Sequence, residues 1–306
     1  MKKTTLVYDD VFLSHSMPEH HPETSDRLRA CIGEIRSSGL WEKVGHARPE
    51  RADEEDVAAV HTREYMKTVS SLGSGYLDPD TYVSDQTHEA ALYAAGAVKT
   101  AVAMVRGGRA ERVFCAVRPP GHHAERDRGM GFCIFNNVAV GARYARRIGY
   151  HRVMIADFDV HHGNGTQEIF YEDDSVFYFS THQFPHYPGT GESSEKGAGA
   201  GEGFTMNIPL PAGAGDDELV SAYEGTFKDA AAAFAPDIVL VSAGYDLHRD
   251  DPLAGLDVTD AGIEKTVSAI ADAAGDSPLV FALEGGYNLQ VLARSVKRTI
   301  EVLMDK

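Results

Sequence analysis

Ile155-Ala156-Asp157-Phe158-Asp159-Val160-His161-His162-Gly163-Asn164-Gly165 is the stretch from which the fold and the chemistry of this chain are read. The apolar run Arg152 to Ala156 reads as a buried strand. It ends in two acids and two histidines, followed by a glycine-rich turn. Asp157, Asp159 and His161 alternate, and alternate residues on an extended backbone face the same side. Two carboxylates and an imidazole therefore converge at the end of a strand. Buried without partners they would be costly, and a bound cation is the simplest compensation. An Asp-rich turn with satisfied core histidines is the competing reading. It leaves too many ionisable groups in one place.

Outward from this stretch the chain keeps a rhythm. Strands are expected at Thr4–Tyr8, Arg112–Val117, Arg152–Ala156, Ser175–Ser180, Phe204–Leu210, Asp237–Ser242 and Leu279–Leu283. Helices are expected at Arg27–Ser37, Val57–Val69, Glu89–Val105, Asn137–Ile148, Thr166–Tyr171, Asp216–Ala235, Thr259–Ala274 and Leu289–Met304. Short β-branched runs alternating with helices predict an α/β fold, a mostly parallel central sheet with helices on both faces. Leu13 to Asp26 and Gly73 to Asp85 read as polar loops, and Gly189 to Gly203 as a glycine-rich mobile loop. No repeat or linker interrupts the 306 residues, so a single domain over 1–306 is expected.

The totals bound the function. Hydrophobic residues make up 43% of the chain, enough for a sizeable core. A net charge of −17 argues against nucleic acid and against an anionic membrane surface as partners. Cys31, Cys115 and Cys133 are widely spaced, form no CxxC pair, and suggest a reducing compartment. With no signal-type apolar segment at Met1-Lys2-Lys3 and no membrane-length apolar run, a cytoplasmic protein is expected.

In open α/β sheets ligands bind beyond the carboxyl ends of the strands, and five strand ends here carry reactive side chains. Asp159, His161 and Asp246 form a one-histidine, two-carboxylate set, and three protein ligands with an open position is the pattern of a catalytic zinc site. Such oxygen-rich ligation also suits iron, manganese or cobalt. Asp157 could take a second ion or orient a histidine. His122 and His123, tandem after Pro119-Pro120-Gly121, suit proton handling on a water; one core and one surface histidine is the alternative. Tyr287 follows Gly285-Gly286, where its hydroxyl could bond a developing oxyanion, or its ring could simply pack in a turn. Phe132 and Tyr187 sit on glycine-rich loops and could flank a narrow tube for an alkyl chain, though loop packing explains them equally well. His15, His20, His21, His151 and His186 are left as surface or loop residues, with His21 and Arg27 possible borders of an inner cavity.

Six motifs in order, Arg118-Pro119-Pro120-Gly121-His122-His123-Ala124, Gly131-Phe132-Cys133-Ile134-Phe135-Asn136-Asn137, Asp157 to Gln167, Pro188-Gly189-Thr190-Gly191, Ala243-Gly244-Tyr245-Asp246 and Glu284-Gly285-Gly286-Tyr287, resemble the zinc-dependent histone deacetylase superfamily. The likeness spans nearly the whole chain and is greatest to the class II branch and to the bacterial deacetylase-like amidohydrolases. It implies an arginase-like fold and one catalytic zinc on Asp159, His161 and Asp246. It implies His123 as general base and acid, His122 as its electrostatic partner, and Tyr287 as the tyrosine that polarises the carbonyl. Phe132 and Tyr187 fall on the walls of the acyl-lysine tunnel, and Gly131 on a backbone contact to the substrate amide. A structural potassium is implied at Asp157, Ser180 and Thr181. Asn164 stands where another branch has Asp, which removes a carboxylate from behind His123. Asp78 or Asp80 matches a rim aspartate, and Leu253 replaces the acidic gatekeeper of polyamine-specific relatives.

The expected function is therefore hydrolysis of an N-acyl amide, first of all removal of acetyl from a lysine ε-amine or lysine-like amine. Acetylpolyamines, other small acylated amines or longer acyl chains are alternatives. So are an acyl-binding module without turnover and a two-metal arginase-like hydrolase. A homo-oligomer is compatible with all of them.

Overall fold

The computed structural model describes residues 3–306. In chain order the strands are β1 (Thr4–Val7), β2 (Gly45–Ala47), β3 (Gly75–Tyr76), β4 (Tyr82–Val83), β5 (Arg112–Cys115), β6 (Val153–Asp157), β7 (Val176–Gln183), β8 (Thr205–Leu210), β9 (Ile238–Ala243) and β10 (Leu279–Leu283). The helices are α1 (Asp26–Ser37), α2 (Glu54–Ala58), α3 (Arg63–Ser71), α4 (Thr87–Arg106), α5 (Asn137–Arg147), α6 (Asn164–Phe170), α7 (Asp216–Ser221), α8 (Lys228–Phe234), α9 (Asp260–Ala274) and α10 (Leu289–Asp305).

Eight strands form one sheet in the order β2-β1-β5-β10-β9-β6-β7-β8, and every pairing in it is parallel. All residues of β6, β7, β9 and β10 are buried, as expected for strands covered on both faces. Helices α4 and α5 pack on each other and over β5, β10, β9 and β6, while α1, α9 and α10 pack together elsewhere around the sheet. The long helix α4 is alanine-rich, which lets it lie close; Gly96 faces the backbone of Glu50, where a Cβ would meet a carbonyl oxygen at 1.9 Å. This is the α/β architecture expected from the sequence, a parallel sheet with helices around it.

The topology positions the site. The chain passes from β5 to β6 and leaves room between them that β10 and β9 fill only at the end. Register places Asp157 beside Ser180 on one side and Ser242 on the other. The carboxyl ends of β5, β10, β9, β6 and β7 thus form one contiguous rim.

Several local expectations are corrected. The single helix expected over Val57–Val69 is two, α2 and α3. Thr62 accepts from the Tyr65 amide to start the second, and His61 turns inward at the break. The Gly73 to Asp85 loop holds the small hairpin β3–β4. Gly45-His46-Ala47, too short to show a period, pairs as edge strand β2. Between α7 and α8 the expected Asp216–Ala235 helix passes through a π-helical segment, Ala222–Phe227. β7 runs on through Thr181 and His182, so those residues lie within the strand, not after it. His15 is buried, bonded through Nδ1 to Thr87 Oγ1 at 2.7 Å, and is no surface residue. The three cysteines are free and buried, and no helix among the described residues is long and apolar enough to cross a membrane.

Candidate active site

Asp159, His161 and Asp246 meet beyond the ends of β6 and β9, with one ligand atom from each lying within 4.8 Å of the others. His161 Nδ1 is 3.1 Å from Asp159 Oδ1 and 3.3 Å from Asp246 Oδ2. The remaining valences are used to aim the carboxylates. Gly285 N donates to Asp159 Oδ2 at 2.8 Å, and Val160 N donates to Asp246 Oδ1 at 3.0 Å. Asp246 Oδ2 is buried and receives no hydrogen bond. Gly244 and Gly285 make the room: a Cβ on either would come within 2.0 Å of one of these carboxylates. Burial pushes His161 down, but the two carboxylates outweigh it and raise the imidazole to about 10. Burial, and then Asp159, push Asp246 up. The set asks for positive charge and leaves an acceptor free to bind it, so the donors fit a divalent cation.

A second group, His122, Cys133 and Glu284, offers atoms at the same spacing. There the carboxylate is already spent: Glu284 accepts from Gly121 N at 2.7 Å, His122 N at 3.2 Å and Ser242 Oγ at 3.0 Å. Its burial raises it to about 7. Glu284 serves to hold the loop that carries the tandem histidines.

Those histidines differ sharply in environment. His122 Nδ1 lies 3.1 Å from Asp157 Oδ2, which also accepts from the Tyr178 hydroxyl. Against burial, Asp159 and Asp157 raise His122 to about 10. His123 Nδ1 instead meets the neutral Asn164 Oδ1 at 2.8 Å. Burial, then the neighbouring His122 and His161, hold it well below the ordinary imidazole value. The two rings, with centroids 4.0 Å apart, are thus pushed in opposite directions, His122 up and His123 down, the kind of divergence found at acid–base sites.

A cavity of about 180 Å³ joins these groups. His122, His123, His161 and Tyr287 line it together with Gly131, Phe132 and Tyr187, and Asp80, His186 and Leu253 are among the other lining residues. Gly131 takes φ +55°, and a Cβ there would strike the His123 ring at 2.4 Å, so only glycine fits. Phe132 also has positive φ, and its amide donates to Thr81 Oγ1 at 3.0 Å. Of the two rim candidates, Asp80 lines the cavity. Asp78 is turned into its own loop, accepting from Asp80 N and Thr81 N. Ser180 bonds His182, while Thr181 lies 3.2 Å from the Tyr223 hydroxyl, which itself donates to the Asp157 carbonyl at 3.1 Å.

A model of the histone deacetylase domain matches residues 21–303. The chain belongs to the histone deacetylase family. Membership carries the enzyme class, a hydrolase of acetylated amides. Among its relatives, a probable deacetylase of Archaeoglobus fulgidus is 39% identical over 94% of this chain and 82% of its own. Histone deacetylase 10, chloroplastic, of Oryza sativa subsp. japonica is 42% identical over 94% of this chain and 70% of its own. The solved HDA15 HD domain superposes with a TM-score of 0.94 at 38% identity, over all of this chain and 90% of that one.

In this family member several buried groups hold the Tyr287 loop, a role the sequence did not announce; Arg27 was expected only as a possible border of an inner cavity. Arg27 Nε donates to the Gly286 carbonyl at 2.6 Å and Nη2 to the Glu284 carbonyl at 2.5 Å, and its guanidinium sits 4.9 Å from the Tyr287 ring centre. Glu23, read as part of a polar loop, binds both Arg27 and Arg118. Asp251 accepts from the Tyr287 and Asn288 amides at 2.7 and 3.2 Å. Arg27 and Asp251 thus bond the Tyr287 loop directly, and Glu23 holds Arg27 in place. Asp251 stood in plain view beside Pro252, but nothing in its neighbours along the chain announces a partner at Tyr287.

Proposed function

We propose that the chain is a zinc-dependent deacetylase that removes acetyl from a lysine ε-amine or a lysine-like amine. The observation carrying this reading is one narrow cavity lined by His122, His123, Tyr287 and His161, the last of which meets Asp159 and Asp246. Asp159, His161 and Asp246 hold the zinc, which when bound supplies Lewis acidity to the amide carbonyl and to a water. His123 Nδ1 donates to Asn164 Oδ1, so Nε2 takes a proton from the attacking water and returns it to the amine nitrogen as the C–N bond breaks. His122, held by Asp157, keeps its proton and balances the negative charge that develops. The Tyr287 hydroxyl donates to the former carbonyl oxygen. A potassium ion at Asp157, Ser180 and Thr181 would tie the end of β6 to the adjoining β7 in this reading. One catalytic domain in a cytoplasmic setting completes it.

The cavity favours a short acyl group, since about 180 Å³ lies below the usual 300–1,000 Å³ of small-molecule pockets. Leu253, which lines the cavity where polyamine-specific relatives carry an acid, supplies no carboxylate for a distal ammonium, which supports acetyl-lysine over acetylpolyamine. The test is kcat/KM of the zinc-loaded enzyme on an acetyl-lysine peptide and on an acetylated polyamine. A preference of about tenfold or more for the peptide is expected, the discrimination one unpaired charge can give; the opposite preference overturns the substrate assignment.

A further inference from the structure

We propose that Glu125 is a positioning residue that sets the tautomer of His123 through the amide of Asn164. The inference rests on the reading of His123 as the base. It concerns the orientation of one amide. Asn164, the first residue of α6, stands between the two groups. Its Oδ1 lies 2.8 Å from His123 Nδ1, and its Nδ2 donates to Glu125 Oε1 at 2.6 Å and to Met130 Sδ at 3.4 Å.

The far side of this amide meets only acceptors. A carboxylate oxygen and a thioether have no proton to give. Turning the amide over would press its carbonyl oxygen against Glu125 Oε1. The NH₂ group is therefore held toward Glu125 and the oxygen toward the ring. A carbonyl oxygen accepts only, so His123 Nδ1 must carry the hydrogen, and the lone pair is left on Nε2. An asparagine by itself cannot enforce this, because either end of its amide can face an imidazole nitrogen. A carboxylate behind His123 would need no such help; the amide does.

Glu125 is itself held in place. Arg128 grips it with two bonds, Nε to Oε2 at 2.8 Å and Nη2 to Oε1 at 2.9 Å, and the Glu125 amide donates to the Arg128 carbonyl at 3.0 Å. The Glu125 carbonyl accepts from His61 Nδ1 at 2.8 Å. Its side chain forms part of the wall of an open cleft of about 990 Å³ outside the active-site cavity, which Asn164 also reaches. The order runs from solvent inward: Arg128, Glu125, Asn164, His123.

The test combines Glu125→Ala with Asn164→Asp, using zinc-loaded enzyme. In the Asn164 background, Glu125→Ala should lower kcat by about tenfold with KM within about twofold. Nitrogen NMR of the resting enzyme should show His123 gaining the tautomer protonated at Nε2. That signal needs no substrate, so it reports on the amide even if the deacetylase reading fails. In the Asn164→Asp background the sign should reverse. There Glu125 faces a like charge and an acceptor-only group already fixes the ring, so Glu125→Ala should leave kcat unchanged or raise it. An equal loss in both backgrounds would mean that Glu125 only supports the loop, and would overturn the proposal. So would a His123 tautomer unchanged by Glu125→Ala.

Discussion

Two buried charge clusters lie on either side of Tyr287, and they are built oppositely. In the first, Glu23 has no exposed side-chain surface, and both of its oxygens accept hydrogen bonds from arginines. It accepts from Arg118 Nε and Nη2 at 2.5 and 2.7 Å and from Arg27 Nη1 at 3.1 Å, with His15 Nε2 3.4 Å away. Although burial alone would raise its carboxyl, Arg118 and its other partners hold it well below the usual range. The guanidiniums in turn spend their remaining donors on the carbonyls of Phe12, His15, Glu284 and Gly286. In the second cluster two carboxylates share one imidazole, Asp246 Oδ2 is unbonded, and glycines keep the space around it clear. A closed set is a fastening. An open set is a receptor for charge, and the difference between them separates the residues that hold the loop from those left open to a cation.

The largest expected break in this contrast is Asp246→Asn. Bound zinc should fall in metal analysis and turnover should drop by about a thousandfold, with Lewis acidity worth several kcal/mol. The same substitution should raise the melting temperature of the chelator-treated protein, because it relieves the crowding of Asp246 against Asp159. Glu23→Gln should do the reverse: it leaves two buried guanidiniums short of a counter-charge and costs about 3 kcal/mol in denaturant unfolding, with or without zinc. If the two substitutions shift metal-free stability in the same direction, the distinction fails. Tyr287→Phe should cut turnover by about a hundredfold while leaving the melting temperature unchanged, since the ring that faces Arg27 is retained.

The smallest effect concerns a closed site that titrates. His61 Nε2 accepts from Asn136 N at 2.9 Å while Nδ1 faces the Glu125 carbonyl, so the fold binds the neutral ring. Burial lowers it from 6.5 to about 4. The unfolded chain then binds the extra proton between those values. This stabilisation is complete above pH 6.5 and is lost as pH falls toward 4, with a slope of about 1.4 kcal/mol per pH unit at most. His61→Gln should flatten the urea-unfolding stability over that window by about one proton; an unchanged slope would show that His61 is charged in the fold.

Much of this was legible along the chain. Strand β6 announced itself by its apolar run, and the acids and histidines crowded at its end marked the site, although β6 ends at Asp157, and Asp159 and His161 lie on the bend that follows, not on extended strand. The Pro-Pro-Gly lead into His122 and His123 and the Gly-Gly lead into Tyr287 marked chain bends that carry reactive groups. Other parts were hidden for identifiable reasons. The α2–α3 break depends on Thr62 capping and on His61 finding Asn136 and Glu125, contacts that no helical period reveals. His15 looked like one more loop histidine because Thr87, which its Nδ1 bonds, comes from a distant helix. Asp78 and Asp80 could not be told apart until the loop closed around Asp78.

The sequence by itself determined which side chains stand at strand ends and on which face, because the pleat of a strand and the punctuation of glycine and proline act over a few residues. Only the tertiary structure decided which of those groups are finished and which remain open. That depends on β9 and β10 entering between β5 and β6 to bring Asp246 and Glu284 into place, and on which lone pairs are already taken once they arrive.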